Sequence, residues 1–158
     1  DPQSHVANLH YVGHSDAVSP AMTAEEILTF WSGMRGAKGL SVAEALERFG
    51  IGHRADFPAR YLSSGQKRRL ALARLLVNEA PLWILDEPTV GLDDDGVAAL
   101  EAAIAGHRSR GGMIVAATHI RFEIGDQAAE LGLSGFAPST GGILEANSAL
   151  DAELRDTL

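Results

Sequence analysis

Residues 82–89 read LWILDEPT, a continuous apolar run that ends at two adjacent carboxylates. A run of this kind is typical of a strand that is buried on both faces of a parallel sheet. Residues 113–117 read MIVAA and show the same pattern, and residues 97–107, between the two runs, have apolar side chains at helical spacing. A strand, a helix and a strand joined by short links predict a right-handed parallel unit, so we expect an α/β fold.

Upstream of this unit, the sequence predicts one short strand followed by two helices. Residues 9–12 read LHYV and predict a strand that leads into a loop. Each helix start is marked by a capping-box pattern, Thr23 with Glu26 in the first helix and Ser41 with Glu44 in the second. Both helical segments contain few β-branched residues, and together they predict a small helical subdomain.

The composition restricts the class of protein. The chain has 158 residues, with 13 Lys and Arg against 21 Asp and Glu, so its formal net charge is −8. This length favours one domain, and the acidic balance argues against a nucleic-acid binder, which normally presents a basic surface. The chain has no cysteine, which excludes a disulfide scaffold, a thiolate metal site and a cysteine nucleophile. No apolar run approaches the ~18 residues of a membrane span, and no signal peptide is visible.

Polar side chains follow the two predicted strands of the parallel unit. Asp86 and Glu87 come directly after the first strand, and His119 follows the second. Ligands of parallel sheets bind beyond the carboxyl ends of the strands, where one carboxylate can hold Mg²⁺ and another can orient or deprotonate a water. His119 can donate a hydrogen bond to a terminal phosphate. The alternative interpretation of Asp-Glu-Pro alone is an ordinary loop that follows a strand.

A further helix begins at residues 62–66, which read LSSGQ. Ser63 and Gln66 have the spacing of a third capping box. The free N–H groups and the positive end of the helix dipole favour an anion at this point, and Gly65 lets a phosphate approach the backbone. The alternative is a well-capped structural helix, which explains the serine and the glutamine but not a glycine in the first turn.

Taken in order, these segments resemble the motifs of the ABC-transporter ATPase family. Residues 62–66 resemble its signature motif, residues 82–89 its Walker B motif, residues 91–93 (GLD) its D-loop, and His119 its switch histidine. The resemblance implies an α/β, P-loop NTPase (ABC ATPase) fold with a parallel-sheet core, incomplete here, and a small helical subdomain. A serine-histidine-aspartate hydrolase is not expected, since no Gly-x-Ser-x-Gly elbow surrounds the serines of the signature motif.

A narrower resemblance concerns the segment after the first strand. Residues 11–18 (YVGHSDAV), residues 22–26 (MTAEE) and Trp83 are similar to the haem-exporter ATPases of cytochrome c maturation, which place Gly-His where most ABC ATPases carry the Q-loop glutamine. This resemblance implies ATP and Mg²⁺ as cofactors and a peripheral location at the cytoplasmic face of the bacterial inner membrane. The implied partners are a second ATPase subunit in a head-to-tail dimer and membrane-embedded, Ccm-type transporter subunits. Neither nucleic-acid binding nor a membrane span of its own is implied.

The resemblance also implies a role for individual residues. Asp86 would hold Mg²⁺, Glu87 would be the general base for water, and His119 would sense the γ-phosphate. Asp93 would bridge the two subunits, and His14 would lie in the loop that couples the nucleotide state to the membrane subunit. Since an imidazole cannot reproduce the carbonyl ligand of glutamine, we do not expect direct metal contact at this last position. The residues that would contact ATP held by the partner subunit are those of the signature motif: Ser63, Ser64, Gly65 and Gln66.

Residues 1–158 are expected to form a partial ABC ATPase domain: a Q-loop-equivalent region at 1–20, a helical subdomain at 21–61, a core at 62–145 and a C-terminal tail, with a possible helix, at 146–158. The chain contains no Gly-x-x-x-x-Gly-Lys-[Ser/Thr], the loop on which binding of the ATP phosphates chiefly depends. In the family this loop precedes the Q-loop, so we expect an N-terminally truncated fragment that is inactive alone, although its parent is an ATPase. A naturally degenerate protein is the alternative.

Two further interpretations of the function remain open at this point. The chain can belong to another ABC importer or exporter, or it can be a non-catalytic interaction module without a phosphate-binding loop. The remaining candidate residues favour structural interpretations. Residues 67–69 (KRR) predict a solvated basic face, and four histidines without metal-ligand spacing are predicted to lie at the surface or in loops: His5, His10, His53 and His107.

Overall fold

The computed structural model describes residues 8–34, 36, 38–120, 122–125 and 128–132. The chain divides into two units, Asp1–Gly125 and Asp126–Leu158. The first unit contains every described helix and strand, and residues 128–132 of the second form neither. The predicted tail at 146–158 lies outside the described residues. Among the described residues, no helix has the length and the apolar character that a membrane crossing needs.

The α-helices and strands follow one another in the predicted order, and two short 3-10 helices that were not predicted lie between the second and third α-helices. In chain order they are β1 (Leu9–Val12), α1 (Ala24–Met34), α2 (Val42–Arg48), two short 3-10 helices (Gly52–Arg54 and Ala59–Tyr61), α3 (Ser64–Val77), β2 (Leu82–Asp86), α4 (Asp94–Ser109) and β3 (Met113–Ala117). Helix α4 begins three residues before the predicted start because the Asp93 side chain accepts a hydrogen bond from the Gly96 N–H and caps the helix.

All three predicted capping boxes are confirmed. At α3, the Ser63 Oγ accepts the Gln66 N–H at 3.2 Å, and the Gln66 Oε1 accepts the Ser63 N–H at 3.0 Å. The same reciprocal pair of hydrogen bonds caps α2, between Ser41 and Glu44. Thr23 caps α1 in the same way, together with the glutamate three residues later. These bonds satisfy donors that the first turn of a helix otherwise leaves without partners.

The three strands form one parallel sheet in the order β1-β2-β3. Val12, the last residue of β1, pairs with Leu85, and Asp86, the last residue of β2, pairs with Ala117 at the end of β3. The strand-helix-strand unit from β2 to β3 is therefore parallel, as predicted. Because the register aligns the three carboxyl ends, the loops that follow the strands leave from one edge of the sheet.

Among the described residues, the helices bury one face of the sheet. Val12, Trp83 and Leu85 on that face are each 1% exposed and share one apolar core with residues of all four α-helices. On the opposite face, Met113 and Val115 are 60% and 58% exposed. The prediction of strands buried on both faces is therefore wrong for β2 and β3, because the described helices cover a single face of the sheet.

Two of the histidines predicted at the surface lie in the interior. His10 on β1 is 9% exposed and His107 on α4 is 6% exposed. The Nε2 atom of His10 lies 3.2 Å from the Asn78 carbonyl, and that of His107 lies 3.3 Å from the Met113 carbonyl. A buried imidazole is tolerated in each case because a backbone group satisfies its ring nitrogen. His53 is exposed as predicted, and the fourth histidine lies outside the described residues.

Candidate functional site

The carboxyl edge of the sheet brings together three of the predicted site positions. His14 lies two residues beyond β1, Glu87 lies one residue beyond β2, and His119 lies two residues beyond β3. Polar side chains therefore follow all three strands at the edge where ligands of parallel sheets bind. His14 is exposed in its loop.

Glu87 and His119 are in direct contact. The Nδ1 atom of His119 lies 2.8 Å from Oε1 of Glu87, and the backbone N–H of His119 lies 3.5 Å from Oε2 of the same carboxylate. The hydrogen bond from the imidazole is the main cause that lowers the pKa of Glu87 below its ordinary value. The glutamate side chain is 26% exposed and the histidine side chain 70% exposed. The pair is thus a carboxylate base, oriented by an imidazole, that a ligand can reach from solvent.

The backbone of Glu87 is held in an uncommon conformation. Its φ angle is +46°, in the left-handed region that non-glycine residues rarely adopt. The Glu87 N–H donates to the Ala117 carbonyl at 2.8 Å, and the Glu87 carbonyl accepts from Nη2 of Arg68 at 2.8 Å. Hydrogen bonds on both sides of the residue keep this conformation in place, as is common where a side chain must be positioned for chemistry.

The signature segment lies against the predicted D-loop. Ser63 caps α3, while Ser64 and Gly65 form its first turn beside Gln66. A Cβ atom at Gly65 would lie 3.0 Å from the carbonyl oxygen of Gly91. The glycine that sequence reasoning connected only with a phosphate therefore also has a packing reason, since it lets α3 approach the backbone of the D-loop.

The Asp93 carboxylate contacts two groups among the described residues. Its Oδ1 accepts the Gly96 N–H at 3.1 Å, and the same atom pairs with the Arg69 guanidinium. The Arg69 side chain is the main cause that lowers the pKa of the Asp93 carboxyl. Since Arg69 also donates to the Phe49 carbonyl at 2.9 Å, it connects the start of α4 to the end of α2.

Asp86 is the predicted Mg²⁺ ligand and is partly buried at the end of β2. The described residues contain no group of three or more His, Cys, Asp or Glu side chains that could hold a metal ion. Mg²⁺ in nucleotide sites is usually held by one or two carboxylates together with phosphate oxygens and waters. A single aspartate beside a second carboxylate fits that chemistry, in which the nucleotide supplies further ligands.

Sequence reasoning missed Arg68, because the basic run at 67–69 was predicted to be solvated. Arg68 is 4% exposed, and the Arg69 side chain is 13% exposed. Ala71 and Leu72, three and four residues further along α3, are fully buried. Because Leu70 and Ala73 are fully buried as well, helical periodicity does not distinguish Arg68 from its two basic neighbours, and no local signal identifies the residue.

Comparisons with known proteins agree with the motifs. A family model described as ABC transporter matches residues 1–90. The cytochrome c biogenesis ATP-binding export protein CcmA of Rhodospirillum rubrum is 46% identical over 138 residues, which cover 87% of this chain and 59% of that protein. The CcmA protein of Nitrobacter winogradskyi is 48% identical over 128 residues, covering 81% of this chain and 63% of that protein. The chain therefore spans about three fifths of the length of these relatives.

A solved structure has the same fold. It is the dimeric, post-hydrolysis state of an ATP-binding cassette bound to ADP and Pi, with a TM-score of 0.66 and 22% sequence identity. The match covers 76% of this chain and 57% of the solved one. At this identity the similarity shows the fold: an ABC ATPase core, incomplete here, with a parallel sheet and helices.

Proposed function

Because the chain belongs to the ABC transporter family, we propose that it is part of the ATP-hydrolysing subunit of a haem exporter that serves cytochrome c biogenesis. The observation that carries the catalytic part of this proposal is the 2.8 Å contact between Glu87 and His119 at the carboxyl edge of the sheet. The export function is supported by the CcmA relatives, which are 46% and 48% identical over most of this chain. The proposed location is the cytoplasmic face of the bacterial inner membrane, as a peripheral subunit.

In the proposed reaction, water attacks the γ-phosphorus of ATP and the bond to the β,γ-bridging oxygen breaks, giving ADP and inorganic phosphate. Glu87 accepts a proton from the attacking water, and its lowered pKa keeps it ionised for that purpose. Asp86 would hold Mg²⁺, which neutralises charge on the phosphates when bound. The fixed backbone of Glu87 and its contact with His119 orient the base before the nucleotide arrives.

One ring nitrogen of His119, Nδ1, contacts Glu87, and this contact restricts the hydrogen bonds that the other ring nitrogen, Nε2, can make. The carboxylate accepts a hydrogen bond, so Nδ1 carries the proton. Nε2 can then donate to a γ-phosphate only when the ring is doubly protonated, since the neutral ring offers a lone pair there. The proposed phosphate-sensing role therefore needs a proton on Nε2 as well as on Nδ1.

The proposed working unit is a head-to-tail dimer in association with Ccm-type membrane subunits. Ser63, Ser64, Gly65 and Gln66 would contact ATP held by the partner subunit, and Asp93 would lie at the junction between the subunits. The close approach of the signature segment to the D-loop at Gly91 supports this assignment, because one contiguous surface would carry both motifs. His14 would lie in the loop that responds to the membrane subunits.

The catalytic proposal is tested by ATP hydrolysis in the whole protein, expressed from its complete gene. The substitution Glu87→Gln removes the base without changing its shape, and we expect it to lower kcat by about 100-fold or more. Glu79→Gln is the matched control, because Glu79 is exposed and lies outside the site. If the unsubstituted protein releases no phosphate from ATP, the chain belongs to a non-catalytic interaction module instead.

The export proposal needs a second experiment, in a strain from which the gene is deleted. We expect the strain to lose c-type cytochromes, measured by haem staining, and to regain them with the unsubstituted gene or with Glu79→Gln. Glu87→Gln should not restore them. Normal c-type cytochromes in the deletion strain, together with ATP hydrolysis by the purified protein, would assign the subunit to another ABC importer or exporter.

A further inference from the structure

The guanidinium of Arg68 connects two loops of the candidate site. The Arg68 side chain is 5% exposed, and all three of its nitrogens make hydrogen bonds. Its acceptors are the Gly13 carbonyl (2.7 Å), the Asp16 Oδ1 (3.1 Å) and the carbonyls of Asp86 (3.0 Å), Glu87 (2.8 Å) and Pro88 (3.4 Å). One side chain of α3 thus bonds to the loop after β1 and to the loop after β2.

The two groups of acceptors belong to functionally different parts of the proposed site. Gly13 and Asp16 lie on either side of His14, so these two bonds hold the part of the loop that carries it. The other acceptors are consecutive carbonyls around Glu87, whose backbone has the left-handed φ angle of +46°. A displacement of Arg68 would therefore move the backbone of Glu87 and, with it, the Cα atom that carries the glutamate side chain.

The contacts of this arginine contribute to stability and also determine the geometry of the site. A buried charge costs free energy of desolvation, and an apolar residue placed here alone would leave five acceptors without their donor. Among the described residues, the carboxylate that pairs with the guanidinium is that of Asp16, whose side chain is 25% exposed. What an apolar residue could not supply is a planar set of donors that serves two loops at once.

We propose that Arg68 is a positioning residue, which couples the loop around His14 to the orientation of the Glu87 carboxylate. This inference rests on the proposed function, because it assigns regulation to the proposed general base. A movement of the loop displaces Asp16 and Gly13, and their hydrogen bonds then displace the guanidinium of Arg68. Because the guanidinium also bonds to the carbonyl of Glu87, the backbone of Glu87 moves and its contact with His119 changes. The signature helix that carries Arg68 takes part in the same coupling.

The first test reads the coupling directly, without ATP hydrolysis. Asp16→Asn removes the carboxylate charge from a partly exposed position while keeping the shape of the side chain, so that folding is retained. In the whole protein labelled with ¹⁵N-histidine, we expect this substitution to shift the ring resonances of His119, because its hydrogen bond to Glu87 changes. Arg110→Lys, at the exposed end of α4, is the control and should leave those resonances in place. Unchanged His119 resonances in Asp16→Asn would overturn the inference, whether or not the protein hydrolyses ATP.

The second test uses kinetics. Arg68→Lys keeps the charge but cannot serve five acceptors, and we expect kcat for ATP hydrolysis to fall about 10- to 100-fold, in keeping with the effect of a small misplacement of a reacting group. The KM for ATP should change by less than about threefold, because the substitution leaves the residues expected to bind the nucleotide in place. Asp16→Asn should lower kcat in the same direction and have little further effect when combined with Arg68→Lys. A lowered melting temperature with unchanged kcat, or multiplicative effects in the double variant, would show that Arg68 is purely structural.

Discussion

The imidazole of His107 stacks on the indole of Trp83. Their ring centroids are 3.9 Å apart and their planes differ by 7°. Trp83 belongs to β2 and His107 to α4, and the Nε2 atom of the histidine lies 3.3 Å from the Met113 carbonyl of β3. One buried histidine therefore joins the helix to two strands of the sheet. Burial lowers the pKa of His107 below its ordinary value of 6.5, so the ring is neutral at physiological pH.

The stack predicts that folding stability decreases in mild acid. Because the pKa of His107 is lower in the folded chain, the unfolded chain binds the proton more readily. The contribution of the neutral His107 ring to folding stability is fully present above the unfolded pKa of 6.5. It decreases as the pH falls from there towards the lower pKa of the folded chain. His107→Phe keeps an aromatic ring against Trp83 but cannot titrate. We expect its thermal midpoint to decrease less than that of the unsubstituted protein between about pH 7.5 and about pH 5.5; equal decreases would contradict the assignment.

The packing of the His107 ring leaves no space for a side chain at Gly112. A Cβ atom at this position would lie 2.2 Å from Nε2 and 2.3 Å from Cε1 of the stacked His107 ring. Gly112→Ala is therefore expected to destabilise the fold by about 1–3 kcal/mol, measured by chemical denaturation. Gly33→Ala is the matched control, since a Cβ atom there meets nothing within 4 Å and the residue lies in α1. It should stabilise the protein by up to about 1 kcal/mol, because alanine favours a helix more than glycine does.

The contact between His119 and Glu87 predicts the direction of a pKa change. The hydrogen bond from the imidazole lowers the pKa of the Glu87 carboxyl, so His119→Ala should raise it. A ¹³C NMR titration of the glutamate side chain in the absence of nucleotide measures this change directly. In the hydrolysis assay, the loss of activity on the acidic side should move to higher pH. His53→Ala, at an exposed position outside the site, should change neither quantity.

Asp93 allows a structural role to be separated from an interface role. Asp93→Ser keeps an oxygen that can cap α4 but removes the charge that pairs with Arg69, whereas Asp93→Ala removes both. We expect the alanine variant to have the lower thermal midpoint of the two. If Asp93 also lies at a subunit junction, both variants lose ATP hydrolysis to a similar degree. Full hydrolysis by the serine variant would mean that Asp93 acts only as a helix cap.

Much of the fold was predictable because it depends on neighbours in the sequence. The starts of α1, α2 and α3 follow from a capping residue and a partner three residues later, as at Ser63 and Gln66. The bounds of β1 and β3 coincide with their apolar runs, and β2 extends one residue further, to Asp86. The positions of Glu87 and His119 at one edge follow from strand order in a parallel sheet, which the same runs predict.

What the sequence determined by itself is the set of local structures and the motifs that follow the strands, because both depend on residues within a few positions of each other. The tertiary structure decided which side chains are buried and which partners they find. Arg68 and Asp16 are 52 residues apart in the chain, and no local pattern contains both. The burial of His107, the exposure of Met113 and Val115 and the hydrogen bonds of Arg68 to two loops all depend on such distant neighbours. The physical reason is that a side chain loses water when other parts of the chain pack against it, and these parts can be far away in the sequence. Once buried, its polar groups need hydrogen-bond partners from the same neighbours.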